Sequence, residues 1–237
     1  MNWAVIFEAK NLALYGEGIL NTLWLLFSSL GIGAVLALIF ALLLTGPWAP
    51  VRWVVGAYTY VVRGTPLLLQ IYLIYYGLAQ MEWVQARWDD VWPWTYFKEA
   101  SFCALLAFSL NTAGYTAEML AGAIRETNAG EIEAAQAYGM SRFQVMRRIV
   151  LPSAMRRTLP AYSNEVVMML QSTSLASAVP DLMDITGAAS RIYAQYYLPF
   201  QAFLAAAAIY LVASFLLIGA FRLAEQHFLA YLTPRKH

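Results

Sequence analysis

Charge-free stretches divide the chain. No charged residue lies between Glu17 and Arg52 or between Arg191 and Arg222, and each gap exceeds the ~20 apolar residues that cross a bilayer as a helix. Five apolar segments, at about 19–44, 54–80, 101–124, 159–180 and 199–223, read as spanning helices. The pattern predicts an all-α, multi-pass integral membrane protein in which residues 1–237 form one transmembrane domain. An odd number of spans puts the termini on opposite sides.

The polar positions between the spans set the orientation. With the N-terminus outside, the inner segments hold ten basic residues, Arg52, Arg125, Arg142, Arg147, Arg148, Arg156, Arg157, Arg222, Arg235 and Lys236. The outer segments hold four, Lys10, Arg87, Lys98 and Arg191. Lys and Arg accumulate on the cytoplasmic side, so the chain is expected to run N-out, C-in. The acidic residues Glu82, Asp89, Asp90, Glu99, Asp181 and Asp184 then fall outside, together with Trp83, Trp88, Trp92, Trp94, Tyr96, Tyr193, Tyr196 and Tyr197. These aromatics suit an interfacial belt or a short amphipathic outer segment.

The one sizeable inner loop, about 125–158, carries its own pattern. Glu131–Tyr138 is Ala-rich with two early glutamates, which favours a short helix, and Gly139 can take the left-handed conformation that ends it. Ser141 with Gln144 three residues on is a capping-box pair opening a second helix. Phe143, Val145, Met146, Ile149 and Val150 give that helix apolar positions, and Pro152 is expected to end it. Two short helices at an elbow make a docking feature. The arginines around them read individually as positive-inside residues facing lipid.

Composition narrows the function. The chain is 61% hydrophobic and 12% charged, against roughly 25% charged in soluble domains. A net charge of +1, with no basic patch interleaved with aromatics, speaks against nucleic acid as a partner. Cys103 is the only cysteine, and His227 and His237 are the only histidines, so no internal disulfide, metal site or histidine cluster is expected. Residues 1–17 carry Glu8, Lys10 and Glu17 ahead of an apolar run too long for a signal peptide, so the first span is read as retained. There is no G-x-x-x-x-G-K-[ST] loop, and none of Lys10, Lys98 or Lys236 follows a glycine. No Ser/His pair is in place to activate a nucleophile, so the chain is expected to be neither an enzyme nor a cofactor binder.

Written out, the inner loop reads Glu133-Ala134-Ala135, three residues, Gly139, nine residues, Ile149, one residue, Leu151-Pro152. This matches the EAA signature of ABC importer permeases at every anchor position. Arg63-Gly64-Thr65-Pro66-Leu67-Leu68, Ala113-Gly114-Tyr115-Thr116-Ala117-Glu118 and Leu159-Pro160-Ala161-Tyr162-Ser163-Asn164-Glu165 with Ser172-Thr173-Ser174 agree. Over almost its whole length the chain resembles the membrane-spanning subunit of a polar amino acid ABC importer. Within that family it looks most like the permease subunits for histidine, lysine, arginine and ornithine, or for octopine and nopaline, because of Tyr162-Ser163-Asn164-Glu165-Val166 and Gln171. One departure is Thr127-Asn128-Ala129-Gly130, where relatives usually carry a proline before the glycine.

The resemblance implies a type I importer (MetI-like) permease fold with a cytoplasmic coupling elbow, in a bacterial inner (cytoplasmic) membrane. It implies that Glu133, Ala134, Ala135, Gly139, Ser141, Arg142, Ile149 and Pro152 meet an ABC ATPase dimer, which binds the ATP and Mg. It also implies a second permease subunit, homologous or identical, and a periplasmic amino-acid-binding protein. The family's working cycle is rigid-body motion of packed helices driven through the elbow.

An ionised side chain at membrane depth costs about 2.5–3.5 kcal/mol, so Arg63, Glu118 and Glu165 need partners or water. Glu118 shares a helical face with Asn111 and Tyr115, and Glu165 shares one with Met168, Met169 and Ser172. If both faces line one cavity, the two carboxylates suit the ammonium or side-chain cation of a basic amino acid. The competing role is helix-to-helix hydrogen bonding. Gly64 and Pro66, flanking Thr65 beside Arg63, are expected to distort the second span and free backbone groups there. The alternative from another class is a secondary amino acid transporter run on an ion gradient, a class that often shows inverted repeats; no internal repeat is visible here.

Overall fold

The computed structural model describes residues 3–89, 91–180 and 182–229; Asp90, Asp181, Arg235, Lys236 and His237 lie outside the described residues. Every regular element among the described residues is helical. The first helix, α1 (Ala9–Thr45), has 37 residues and is about 55 Å long, well beyond the ~30 Å hydrocarbon core of a bilayer. It begins ten residues ahead of the apolar run because its polar first turns are held: Asn11 Nδ2 donates to the Val5 carbonyl (2.7 Å) and Tyr15 OH to the Ala202 carbonyl (2.7 Å).

The second apolar stretch is a broken helix. α2 (Ala49–Gly64) stops at Gly64, and α3 (Leu67–Tyr72) starts after Pro66 and continues through a π-helical turn (Leu73–Gly77) and a 3₁₀ turn (Leu78–Gln80). The one-turn α4 (Glu82–Gln85) and a 3₁₀ turn (Trp94–Lys98) follow, where Val84 and Phe97 are buried against Ala79 and Cys103, and Trp83 stacks edge-on against Trp94. Trp83, Trp94 and Phe97 therefore form part of a packed cap.

α5 (Ala100–Arg125) is the central helix, packed against α1 along its length and against α2, α3 and α8 on its other faces. Its buried positions are mostly small, among them Ala104, Ala107, Ala113, Gly114, Ala117 and Ala121, which lets neighbouring helices approach closely. The closest approach is at Gly33 of α1, where an added Cβ would lie 2.2 Å from Thr112 Cγ2.

α6 (Ala129–Ala137) and α7 (Arg142–Val145) follow, and α7 runs through a π-helical turn (Met146–Val150) straight into α8 (Leu151–Ser172). Pro152 therefore does not end the helix: the chain stays helical across it, and the π-helical turn Met146–Val150 lies just before the residue that has no N–H to donate to the ladder. A 3₁₀ turn (Thr173–Ala178) leads to α9 (Ile185–Tyr196), then α10 (Pro199–Phe228). α1 and α10 are long and apolar enough to cross a membrane by length and composition, and both turn large apolar residues outward, including Leu20, Phe27, Val35, Leu211, Phe215 and Leu216.

Gly33→Ala is expected to lower stability by about 1–3 kcal/mol through overpacking at the α1–α5 contact, whereas Gly31→Ala, which meets nothing within 4 Å, should be neutral or slightly stabilising. Thermal unfolding of both variants in detergent checks the pair.

Candidate functional site

The polar chemistry of the chain gathers in two places, an elbow at one end and a hydrogen-bonded seam around the broken helix. The elbow is terminated at every joint by local chemistry. Asn128 caps α6, its Oδ1 accepting from the Gly130 N–H at 2.9 Å. Gly139 has φ +83°, and the Gly139 and Met140 N–H groups donate back to the carbonyls of Gln136 (2.9 Å) and Ala135 (3.1 Å), the paired bonds of a Schellman ending. Ser141 and Gln144 exchange both bonds of a capping box, 2.8 Å and 3.3 Å. Four residues, 138–141, therefore turn the chain between two helices with a single glycine in the left-handed region.

The base of the elbow is welded to the bundle. Ala135, Val145, Val150 and Ala154 are buried in one cluster with Ala41 and Leu44 of α1, Val55 of α2 and Ile124 of α5. Glu133, Ala134, Gly139, Ser141 and Arg142 are exposed, whereas Ile149 and Pro152 are half-buried. Tyr138 is 90% and Phe143 72% exposed, one on each side of Gly139. By sequence Phe143 is one of the apolar positions of the second helix, and Tyr138 carries no role. Two bare aromatics on a short charged elbow are an unpartnered apolar surface.

The seam runs along α5. Gln70 of α3 reaches back across the break, its Nε2 donating to the carbonyls of Val62 (2.7 Å) and Thr65 (3.1 Å) and to Thr65 Oγ1 (2.9 Å). Asn111 Nδ2 donates to Gln70 Oε1 (3.1 Å), and Tyr115 OH donates to the Arg63 carbonyl (3.1 Å) while the Arg63 guanidinium lies over the Tyr115 ring at 5.6 Å. One turn on, Thr59 Oγ1 donates to Glu118 Oε1 at 2.6 Å, and Tyr58 OH donates to the Leu110 carbonyl at 2.6 Å. Asn111, Tyr115 and Glu118 thus come together with Arg63, Gly64, Thr65 and Pro66, and their visible bonds hold helices to one another.

Glu165 sits elsewhere. It is 8% exposed on α8, with Thr112 of α5 as its polar neighbour, beside the core that holds Val166 and Met169. Ser172 is half-buried at the end of the same helix, and Met168 is exposed. One turn toward the elbow, a cleft of about 460 Å³ opens between α1, α5 and α8, lined by Val35, Leu38, Met119, Met155, Leu159 and Tyr162. It lies within the 300–1,000 Å³ range of small-molecule sites, yet it offers no charged group of its own.

Asp184, counted only among the outer acidic residues, is 1% exposed at the N-terminus of α9. It accepts from the N–H groups of Thr186 (3.0 Å) and Gly187 (2.9 Å) and from Tyr210 OH of α10 (2.9 Å). Burial pushes its carboxyl up from the ordinary value, and the bonds from Gly187, Thr186 and Tyr210 pull it back. Arg157, expected to face lipid, instead turns into the bundle, donating to the Ala123 carbonyl.

Residues 29–229 match the family model described as the binding-protein-dependent transport system inner membrane component. The chain is 45% identical, over 92% of its length and 90% of the relative's, to the histidine/lysine/arginine/ornithine transport system permease protein HisM of Escherichia coli. It is 45% identical to the nopaline transport system permease protein NocM of Agrobacterium fabrum, over 86% of this chain and 83% of that one. Among solved structures, an amino acid ABC transporter with histidines superposes with a TM-score of 0.76 at 29% identity, covering 92% of this chain and 95% of that one. The MetNI methionine ABC transporter in an inward-facing conformation shares the fold at a TM-score of 0.75, 18% identity and 94% and 99% coverage.

Gln70→Leu removes the donor that satisfies the break and leaves the carbonyls of Val62 and Thr65 without it. It should cost about 1–3 kcal/mol, visible as a lowered thermal midpoint of the purified chain.

Proposed function

Because the chain belongs to the family of binding-protein-dependent transport system inner membrane components, we propose that it is the pathway-forming permease subunit of an ATP-driven importer of basic amino acids, worked through the α6–α7 elbow. The observation that carries the coupling role is the pair of exposed aromatics, Tyr138 and Phe143, on a turn fixed by Gly139 and capped on both sides. Such a surface, 72–90% bare, fits a cleft on another protein, and the chain has no nucleotide-binding loop of its own. The partner is an ABC ATPase dimer holding ATP and Mg. Closure of that dimer drives the elbow, and the welded base passes the displacement to α5 and α8 as rigid-body motion.

The remaining assembly is a second permease subunit, homologous or identical, and a periplasmic amino-acid-binding protein. The chain lies in the bacterial inner membrane, N-out and C-in, with five spans. Its relatives' names, which specify histidine, lysine, arginine, ornithine and nopaline, support a cationic amino acid or opine as substrate. Glu165 supplies the negative charge at the pathway, with Ser172 on the same helix, while Asn111, Tyr115 and Glu118 of α5 contribute polar groups from the neighbouring seam. Nothing observed favours the gradient-driven alternative.

ATP hydrolysis by the complex of this chain with its ATPase, partner subunit and binding protein in lipid nanodiscs tests the reading with arginine, lysine, histidine, glutamine and no ligand. Stimulation by the basic amino acids is expected. Gly139→Val, which forces a β-branched residue to φ +83° where no atom lies within 4 Å, should abolish it through the backbone alone. Stimulation by glutamine would keep the machine and discard the cationic site, and an unaltered chain that retains no ATPase would sink the elbow's role. Glu165→Gln should lower arginine uptake by roughly tenfold, the scale of one charge-assisted hydrogen bond, with ATPase binding intact; unchanged kinetics for arginine and histidine would exclude Glu165 from the site.

A further inference from the structure

We propose that Arg157 is a positioning residue for transport: its side chain fastens the two ends of the elbow to each other, so that the elbow moves as one body with α5 and α8. The inference rests on the elbow being the ATPase contact. The guanidinium sits where the chain leads into the elbow and where it leaves. Nη2 donates to the Ala123 carbonyl at 2.6 Å and to the Thr127 hydroxyl at 3.0 Å, and Nη1 donates to Ser153 Oγ at 2.9 Å. Ala123 is in the last turn of α5, whose final carbonyls have no partner within the helix. Thr127, 8% exposed, lies on the segment joining α5 to α6, and Ser153 is in the first turn of α8.

The arrangement is matched to arginine. A planar fork can hold a carbonyl and two hydroxyls at once, which a lysine ammonium on a flexible stem does less well. The buried Nε–H has no partner, so the side chain is held by its fork alone and keeps that orphan as a standing cost. The elbow also has two compliant joints. One is the short connection 126–128, and the other is the π-helical turn Met146–Val150, a form of helix that interrupts the regular ladder. A push on α6 that bent either joint would be absorbed before it reached the spans. Arg157 bridges both joints, converting two hinges into one closed loop.

The test uses the complete importer in lipid nanodiscs and reads amino acid moved per ATP hydrolysed. Arg157→Ala is expected to keep the ATPase bound while lowering that ratio by roughly tenfold, and Arg157→Lys to restore part of it. Thr127→Val should lower the ratio by about threefold in the unaltered chain and by much less in the Arg157→Ala background, where only the long bond of Thr127 to the Ala123 carbonyl (3.4 Å) is left to lose. A ratio unchanged in Arg157→Ala, or a Thr127→Val effect that adds in full to it, overturns the proposal. If Arg157→Ala does not assemble, Thr127→Val decides by the same ratio, since it keeps the arginine and the shape of the side chain. Failure of the elbow reading shows itself separately, as an unaltered chain that does not retain the ATPase.

Discussion

A helix that breaks where water is scarce releases carbonyls that some other part of the chain must satisfy, and the arrangement around α5 follows from that requirement. The break at Gly64–Pro66 frees the carbonyls of Val62, Arg63 and Thr65, and each has a donor: Gln70 for the first and third, Tyr115 for the second. Gln70 needs an acceptor site filled in turn, which Asn111 does. One face of α5 is therefore polar at regular helical spacing. Its other faces are free to be small, and Gly33 of α1 closes against Thr112 there. The polar seam and the tight α1–α5 contact are two consequences of one placement of α5, with close packing replacing the hydrophobic drive that water would otherwise supply.

Local signals were legible wherever structure is set within a few residues. Gly139 at positive φ, the Ser141–Gln144 capping box and the helix before them all stand in the structure as their residue types dictate. The segments at 101–124 and 199–223 correspond closely to α5 and α10. What failed did so for tertiary reasons. α1 begins early because Asn11 and Tyr15 find partners on Val5 and Ala202, the second of them 187 positions away. α9 carries Thr186, Ser190, Arg191 and Gln195 and shows no apolar run, yet Ile185, Ala188, Ala189 and Ile192 bury one face of it against α1 and α10. Pro152 signals a helix boundary, yet the chain stays helical across it, with the irregular ladder taken up by the π-helical turn just before it.

The candidate site was legible in its residue types more than in its grouping. Helical spacing placed Asn111, Tyr115 and Glu118 on one face correctly, but spacing carries no information about what that face meets. It meets α2 and α3, through Thr59, Arg63 and Gln70. Glu165 faces a different neighbour, Thr112, one residue round the helix from Asn111. The two carboxylates thus differ in their surroundings. Glu118 is bonded at 2.6 Å to a threonine across a helix contact, while Glu165 is buried on α8 one turn beyond Tyr162, which lines the apolar cleft.

Basic residues at the elbow end were read as orientation signals, and three of them are also helix terminators. Arg52 donates to the Gly46 carbonyl at 3.0 Å and Arg125 to the Leu44 carbonyl at 3.2 Å, both at the end of α1, while Arg157 donates to Ala123 at the end of α5. The last carbonyls of a helix carry its negative pole, so a guanidinium is favoured there on both hydrogen-bonding and electrostatic grounds. The same arginines that the sequence offers as positive-inside residues therefore join α1, α2, α5 and α8 to one another at the elbow end. A bundle whose elbow-side ends are cross-linked while its second apolar stretch is broken midway is tied together where the elbow attaches and interrupted beyond it, which is the arrangement the proposed coupling requires.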